Sequence, residues 1–488
     1  MSVDSRRNRH PRARGPRQSR TRAGRTRAGR RVIARLGTWL SALASRVVPD
    51  PFVLALGLTL LVLLAGWVLV GPVGIEAAEA TGFWTLLLAW AEGLANPGGL
   101  AFALQMSLIL VTGHALAVSP PVQYLVRWIA SLPRSGAGAV FLVALVACLA
   151  GTLHWGLGAI VGALLAREIG RSAAARNTPL HYPLLGAAAY AGMAVWHGGL
   201  SGSAPLTSAM EGHFAEPAAG VVPLGDTIFS PMNTLVMLAL IITIPLVFRA
   251  MHPADGRPVT GMPALPPISS PPDPQGDGSL VDRIQRSPWP GRLLGALGLL
   301  FLTAAVARGE RSFDLNAVNL GFLSAGLVLQ GSLKAYADAV ADGARGAGAI
   351  ILQFPFYFGI LGIMRAAGMI DWISAGLVTL STPLSFPTVA FLSAGIVNFF
   401  VPSGGGQWAV QADILLQAGQ TLGVAPHVTI LAFSHGDAWT NMLQPFWALP
   451  LLGIMGLRAR DIIGYTAVIF LLMAVLVPAL LTLAVLMG

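Results

Sequence analysis

Long apolar runs recur from residue 52 to residue 487, and only 11% of the chain is charged against 55% hydrophobic. A soluble domain carries about 25% charged residues, so an aqueous environment suits this chain poorly. A run of about 20 apolar residues crosses a ~30 Å hydrocarbon core, and it does so as a helix because a helix satisfies its own backbone. The chain therefore reads as an all-α polytopic membrane protein.

Charge is segregated. Residues 1–31 hold twelve arginines and one acid, Asp4, so the formal net charge of +10 belongs to a tail. That tail lacks apolar periodicity and is expected to be disordered and cytoplasmic, because positively charged flanks stay inside. Anionic lipid could attract it, and no nucleic-acid partner is expected. A twin-arginine or transit-peptide reading fails, because the apolar run at 52–71 is long enough to span and no small-residue cleavage site follows it. The single cysteine, Cys148, rules out an internal disulfide or a cysteine metal cluster.

Following basic and acidic loops along the chain gives spans at 52–71, 100–118, 183–210, 226–248, 293–306, 316–330, 347–364, 426–455 and 462–487. Arg308 and Arg311 break the rule. The stretch 139–166 has basic flanks on both sides, at Arg127 and Arg134 and at Arg167, Arg171 and Arg176. It must therefore enter and return, with its turn at 152–158 (TLHWGLG). The stretch 386–417 has no basic flank and should open outside, turning at 398–408 (NFFVPSGGGQW). Two spans carry mid-membrane interruptions, at 196–205 (WHGGLSGSAP) and around 435–445 (HGDAWTNMLQP), where glycine and proline weaken a helix.

Aligning the turns sets Gly156 against Gly404, an offset of 248; aligning the interruptions sets Trp196 against Trp439, an offset of 243. The expected architecture is two inverted repeats, each with a re-entrant hairpin and a discontinuous helix, with about nine full spans plus two hairpins. The organisation reads as a tail (1–46), a first membrane repeat with a leading helix (47–248), a Pro/Gly-rich cytoplasmic linker (249–291) and a connecting helix with the second repeat (292–488).

Interrupted helices offer free N–H groups and dipole ends, which suit an anion. No Lys or Arg lies in any of the four interruptions, so a small, singly charged anion is favoured. The expected substrate-binding residues are His154, Trp155 and Gly156 at the first turn, and Trp196, His197, Gly199, Ser201 and Ser203 at the first interruption. At the second turn they are Asn398, Ser403, Gly404, Gly405, Gly406, Gln407 and Trp408, and at the second interruption Trp439, Asn441 and Gln444. Ionisable groups inside a membrane are costly, so His197, His435 and Asp437 are candidates for a coupling Na+ or H+. The competing reading is that each histidine simply donates to a backbone carbonyl freed by the break. No catalytic residue, metal centre or organic cofactor is indicated.

The strings VPDP (48–51), VTGHAL (111–116), HWGLG (154–158), SGS (201–203), NFFVPSGGG (398–406) and NMLQPFWALP (441–450) stand together in one chain. In them the chain resembles the short-chain fatty acid transporter family, the acetoacetate and butyrate permeases of bacteria, and the likeness covers about residues 46–487. It implies uptake of short-chain fatty acids by alternating access across the bacterial inner membrane, within the wider ion-transporter superfamily. It also implies a homodimer, by analogy with related transporters. The family usually places Asn where His154 stands, and the Arg-rich tail is outside its pattern. Two other readings remain: a dicarboxylate or other anion symporter of the same superfamily, and an intramembrane serine protease using Ser201 within GLSG (199–202).

Overall fold

The computed structural model describes residues 51–70, 82–253, 279–311, 314–345, 347–399, 401 and 403–487. The Arg-rich tail, the acidic loop at 71–81 and most of the linker lie outside them. Every regular element within them is helical. Five helices, Pro97–Ala117, Gly136–Leu153, Pro231–Met251, Trp289–Ala307 and Ala459–Leu486, are each long and apolar enough to cross a membrane. The protein is a multi-pass membrane protein.

In the first half, α1 is Pro51–Val70, α2 Phe83–Leu94, α3 Pro97–Ala117 and α4 Pro120–Ala130. The first hairpin follows, with arms α5 (Gly136–Leu153) and α6 (Trp155–Ala175). A broken helix comes next: α7 (Tyr182–Ala189), 3-10 turns at Tyr190–Ala194 and Trp196–Gly198, and α8 (Ser203–Ser208). The half ends in α9 (Pro231–Met251). A short helix, α10 (Leu280–Arg286), precedes α11 (Trp289–Ala307), α12 (Leu315–Leu329) and α13 (Leu333–Ala344). Then come α14 (Gly348–Ala366), α15 (Met369–Thr379) and the second hairpin, α16 (Phe386–Asn398) and α17 (Gly404–Thr421). A second broken helix, α18 (Pro426–Asn441), a 3-10 turn at Pro445–Ala448 and α19 (Leu449–Met455), leads to α20 (Ala459–Met487).

The starts of these helices are written locally. Asn96, Ser135, Ser230, Asp314 and Ser332 each accept an N–H from the residue three positions on, the geometry of an N-cap. Proline stands at the first or second position of α3, α4, α7, α9, α11, α16, α18 and α19, where its missing N–H costs nothing.

The order of elements from α3 to α9 repeats from α14 to α20, and so do the contacts. Helix α3 packs on α6 as α14 packs on α17, α4 lies on α6 as α15 lies on α17, and α5 meets α9 as α16 meets α20. Across the halves, α19 packs on α6 and α8 packs on α17. This exchange ties each hairpin to the broken helix of the other half.

Four elements depart from the sequence reading. Helices α4, α13 and α15 occupy stretches read as loops or left unassigned, and α2 fills a short apolar stretch beside the acidic loop. Each is only 11 or 12 residues long, too short to span at 1.5 Å per residue. On α4, Tyr124, Leu125 and Trp128 face outward while Val126 and Ala130 are buried, the pattern of a helix lying along an apolar boundary. The second interruption is also displaced: α18 runs unbroken through His435, Asp437 and Trp439 to Asn441, and the break starts at Met442.

Outside the spans, the loop between α8 and α9 carries His213, whose Nε2 donates to the Gly220 carbonyl oxygen at 3.1 Å while Nδ1 accepts from the Ala215 amide at 3.3 Å. Burial holds its pKa below the usual 6.5.

Candidate functional site

All four interruptions meet. The tip of the first hairpin joins the first broken helix through the Trp155 amide, which donates to Ser201 Oγ at 3.0 Å, and the Leu200 amide, which donates to the Thr152 carbonyl oxygen at 2.8 Å. The two broken helices join through His197 and Asp437, and through Tyr190, whose hydroxyl lies 3.1 and 3.2 Å from the carbonyl oxygens of Asn441 and Gln444. The second hairpin joins the second broken helix through Asn398 and sets Gly404 directly against the rings of Trp196 and His197. Trp155 and Trp447 close the circuit edge to face, their centroids 5.3 Å apart.

The first tip is a finished structure. His154 is the lone extended residue between α5 and α6, and its Nδ1 accepts from the amides of Gly156 (2.9 Å) and Leu157 (3.1 Å). Amides can only donate, so the ring proton sits on Nε2, which donates to the Ile109 carbonyl oxygen at 2.8 Å. The ring lies so close to Gly113 that a Cβ there would collide with it, and this accounts for the glycine of VTGHAL. With the Trp155 amide taken by Ser201, the first-turn donors of α6 are all claimed within the protein. The N–H groups that the sequence offered to an anion at this helix end are thus occupied, with His154 in the place an anion would take.

Between the halves lies a buried chain of polar groups. The Ala204 amide donates to His197 Nε2 at 3.2 Å, so the ring proton is on Nδ1 and points to Asp437 Oδ2, 2.6 Å away. Ser203 Oγ lies 3.1 Å from the same Nε2, and all three side chains have no solvent exposure. This Ser–His–Asp link uses Ser203, whereas Ser201, the serine of the protease reading, is occupied with Trp155. Asn233, absent from the sequence-based set, completes the cluster. Its Nδ2 donates to the carbonyl oxygens of Gly198 and Ile228, both at 2.8 Å, so its Oδ1 accepts from His435 Nε2 at 2.9 Å. His435 Nδ1 is left without a partner. Gly199 packs so closely on Thr152 that a Cβ would run into its carbonyl oxygen.

The second tip differs from the first. Ser403 caps α17 by accepting from the Gly406 amide at 3.3 Å, and the amides of Gly404 and Gly405 have no acceptor among the described residues. The buried indole N–H groups of Trp196 and Trp408 likewise lack acceptors. A Cβ added at Gly405 would meet Phe102 at 2.7 Å and Phe354 at 3.4 Å, and one added at Gly406 would strike Tyr357. The tip is thus sealed by aromatic rings that sequence reading did not select. Their signal was weak, since an aromatic inside an apolar run reads as core. The Trp439 Nε1 donates to the Phe470 carbonyl oxygen at 2.9 Å and its ring stacks on Phe391 and Phe470, which packs it between α16, α18 and α20.

Asn398 organises the end of α18. Its Nδ2 reaches the Asp437 carbonyl oxygen, Thr440 Oγ1 and Asn441 Oδ1 at 2.8–2.9 Å, and its own carbonyl oxygen accepts from Gln444 Nε2 at 2.7 Å. Gln407 donates to the Ala394 carbonyl oxygen at 2.7 Å and to Gln411 Oε1 at 2.9 Å. A cavity of about 830 Å³ opens away from this junction, between Ser230, Met232, Val424, His427 and Val485. His427 is ten residues before Asp437 on α18, roughly 15 Å along the helix.

Residues 32–484 match the family described as short chain fatty acid transporter. A protein of Escherichia coli (strain K12) that bears the short-chain fatty acid transporter name is 38% identical over 453 residues, which cover 90% of this chain and 97% of that protein. One of Haemophilus influenzae with the same name is 35% identical over 459 residues, with the same coverage. In fold, the chain is similar to the crystal structure of the Alcanivorax borkumensis YdaH transporter, described as having an unusual topology, with a TM-score of 0.50, 17% identity, and coverage of 88% of this chain and 98% of that one. The multi-pass helical fold, the meeting of the four interruptions and these likenesses agree: the chain belongs to the short-chain fatty acid transporter family, whose members are membrane transporters and not enzymes.

Proposed function

We propose that the protein carries short-chain monocarboxylates such as butyrate and acetoacetate across a bacterial inner membrane by alternating access. The supporting observation is the convergence of two hairpin tips and two helix interruptions on one buried junction, the arrangement in which secondary transporters hold a substrate. The carboxylate is held at the second tip, where the amides of Gly404 and Gly405 and the indole N–H groups of Trp196 and Trp408 are donors in need of an acceptor. Phe102 and Phe354 supply the apolar wall for a short acyl tail. None of the four interruptions contains Lys or Arg, so a second carboxylate has no countercharge there.

The two halves act as inverted repeats, and a coupling cation, Na+ or H+, moves with the acid. Uptake of labelled acetate, butyrate, acetoacetate and succinate into proteoliposomes tests this reading. Butyrate and acetoacetate should accumulate, and Ser403→Ala, which removes the cap of α17, should lower their uptake while protein remains in the membrane. Preferential uptake of succinate, or of none of the four, would overturn it.

A further inference from the structure

We propose that Phe214 sets the upper limit on the length of acid the site admits, by backing the ring of Phe102 against the second hairpin tip. This limit presupposes the transport reading above, which supplies the cargo. Phe214 lies outside every interruption, in the loop between α8 and α9, within the string EGHFAEP (211–217).

Phe102 of α3 and Phe354 of α14 are the rings nearest the tip, where a Cβ on Gly405 would meet them at 2.7 and 3.4 Å. An acyl tail running past Gly405 meets those rings at once, so its length is bounded by how far Phe102 can retreat. What stands behind Phe102 decides that. Its centroid lies 5.7 Å from that of Phe354, 6.3 Å from Phe358 and 6.0 Å from Phe214, and Phe214 and Phe358 are themselves 5.8 Å apart, edge to face. Aromatic pairs in this geometry attract beyond their burial, so the four rings act as one block. Phe102, Phe354 and Phe358 are 4%, 2% and 5% exposed. Phe358 is pinned by the α3 backbone, since a Cβ on Gly99 would meet its ring at 2.6 Å. Phe214 is the partly exposed member, and it comes from a loop.

That loop is tied to the hairpin it overlooks. The Phe214 carbonyl oxygen accepts from Arg365 Nη2 at 3.4 Å, and the same nitrogen lies 2.6 Å from Asp413 Oδ2 on α17. Gln420, also on α17, donates to the Ala218 carbonyl oxygen. At the base of the loop the Val222 amide donates to the Ser208 carbonyl oxygen at 2.8 Å, and His213 braces the interior through Ala215 and Gly220. Arg365 is about half exposed, so its ion pair contributes little alone, and the ring packing carries most of the hold. Phe214 is thus a positioning residue that acts on the cargo through Phe102. A ring that merely packs would change the amount of working transporter and leave its preferences alone; a length limit changes the ratio between acids.

The test is made on the full-length protein in proteoliposomes, by competition of unlabelled acetate, butyrate, hexanoate and octanoate against labelled butyrate. Phe214→Ala lets Phe102 fall back, and hexanoate, two methylenes longer than butyrate, should gain about tenfold in competition relative to butyrate as those methylenes find apolar cover. Octanoate should gain as well, and acetate should not. Phe214→Leu should shift the same ratio less, and it carries the test if the alanine variant does not fold. A wild-type ratio of hexanoate to butyrate in these variants would overturn the proposal. Weakening of all four acids by one common factor would leave Phe214 as packing alone and overturn it too. Wild-type protein that takes up no short acid would sink the transport reading and the length limit with it; butyrate uptake with an unmoved ratio would sink the length limit alone.

Discussion

At the scale of single residues, the kinds of side chain were legible and their pairings were not. The glycine-broken strings flagged His154, His197, Asp437 and Asn398, and the structure brings each of them to the junction. Which serine faces His197 depends on the path of the backbone through Gly199 and Gly202, and no spacing rule separates Ser201 from Ser203. His154 shows the same limit: a histidine at a glycine turn looks like a ligand until its two nitrogens are traced to two amides and a carbonyl oxygen. Its capping role gives a prediction. His154→Ala should destabilise the protein by about 1 kcal/mol through the lost N-cap, whereas His154→Asn keeps an acceptor and should lose less. Thermal unfolding in detergent reads the difference, and a wild-type melting curve for the alanine variant would show that the cap carries nothing.

At the scale of elements, hydropathy found the long helices and missed the short ones. Helices α2, α4, α13 and α15 fall below the length of a span, and three of them replace stretches read as loop or left unread. The displaced second interruption has a different cause. Glycine was read as a breaker at Gly436, but there it serves a close crossing: a Cβ would run into the Phe391 carbonyl oxygen, so α16 and α18 approach through that position. Gly436→Ala should therefore cost about 1–3 kcal/mol by overpacking. Gly57→Ala, on exposed α1 with nothing within 4 Å, should be neutral or mildly stabilising, as an alanine in a helix interior is. The pair, compared by thermal unfolding, separates packing from propensity; equal effects would mean that the α16–α18 crossing can give way.

At the scale of the whole molecule, the duplicated order of elements was readable because both halves use the same breakers at nearly the same offset. The exchange of partners, α19 onto α6 and α8 onto α17, was not, because no local pattern encodes which half a helix will lie against. The proposed inversion of the two halves makes a further prediction. Cysteines at Arg134 and Arg176, both exposed at the ends of the first hairpin, should react with an impermeant maleimide from one face of the membrane, and cysteines at Thr382 and Thr421 from the other. Cys148 has no exposure and donates toward the Ala191 carbonyl oxygen, so the native thiol should stay silent. Labelling of all four positions from one face would refute the inversion.

The unlike chemistry of the two tips reaches beyond architecture. On the proposed reading, a compartment with hydrogens to give on one wall and none left on the other would be a keyed berth: a passenger with a single acidic head would settle head-first against the second hairpin. A molecule acidic at both ends would always turn one of them to a wall that has nothing to give, so selection among cargoes would come from bonds the first half has already spent on itself.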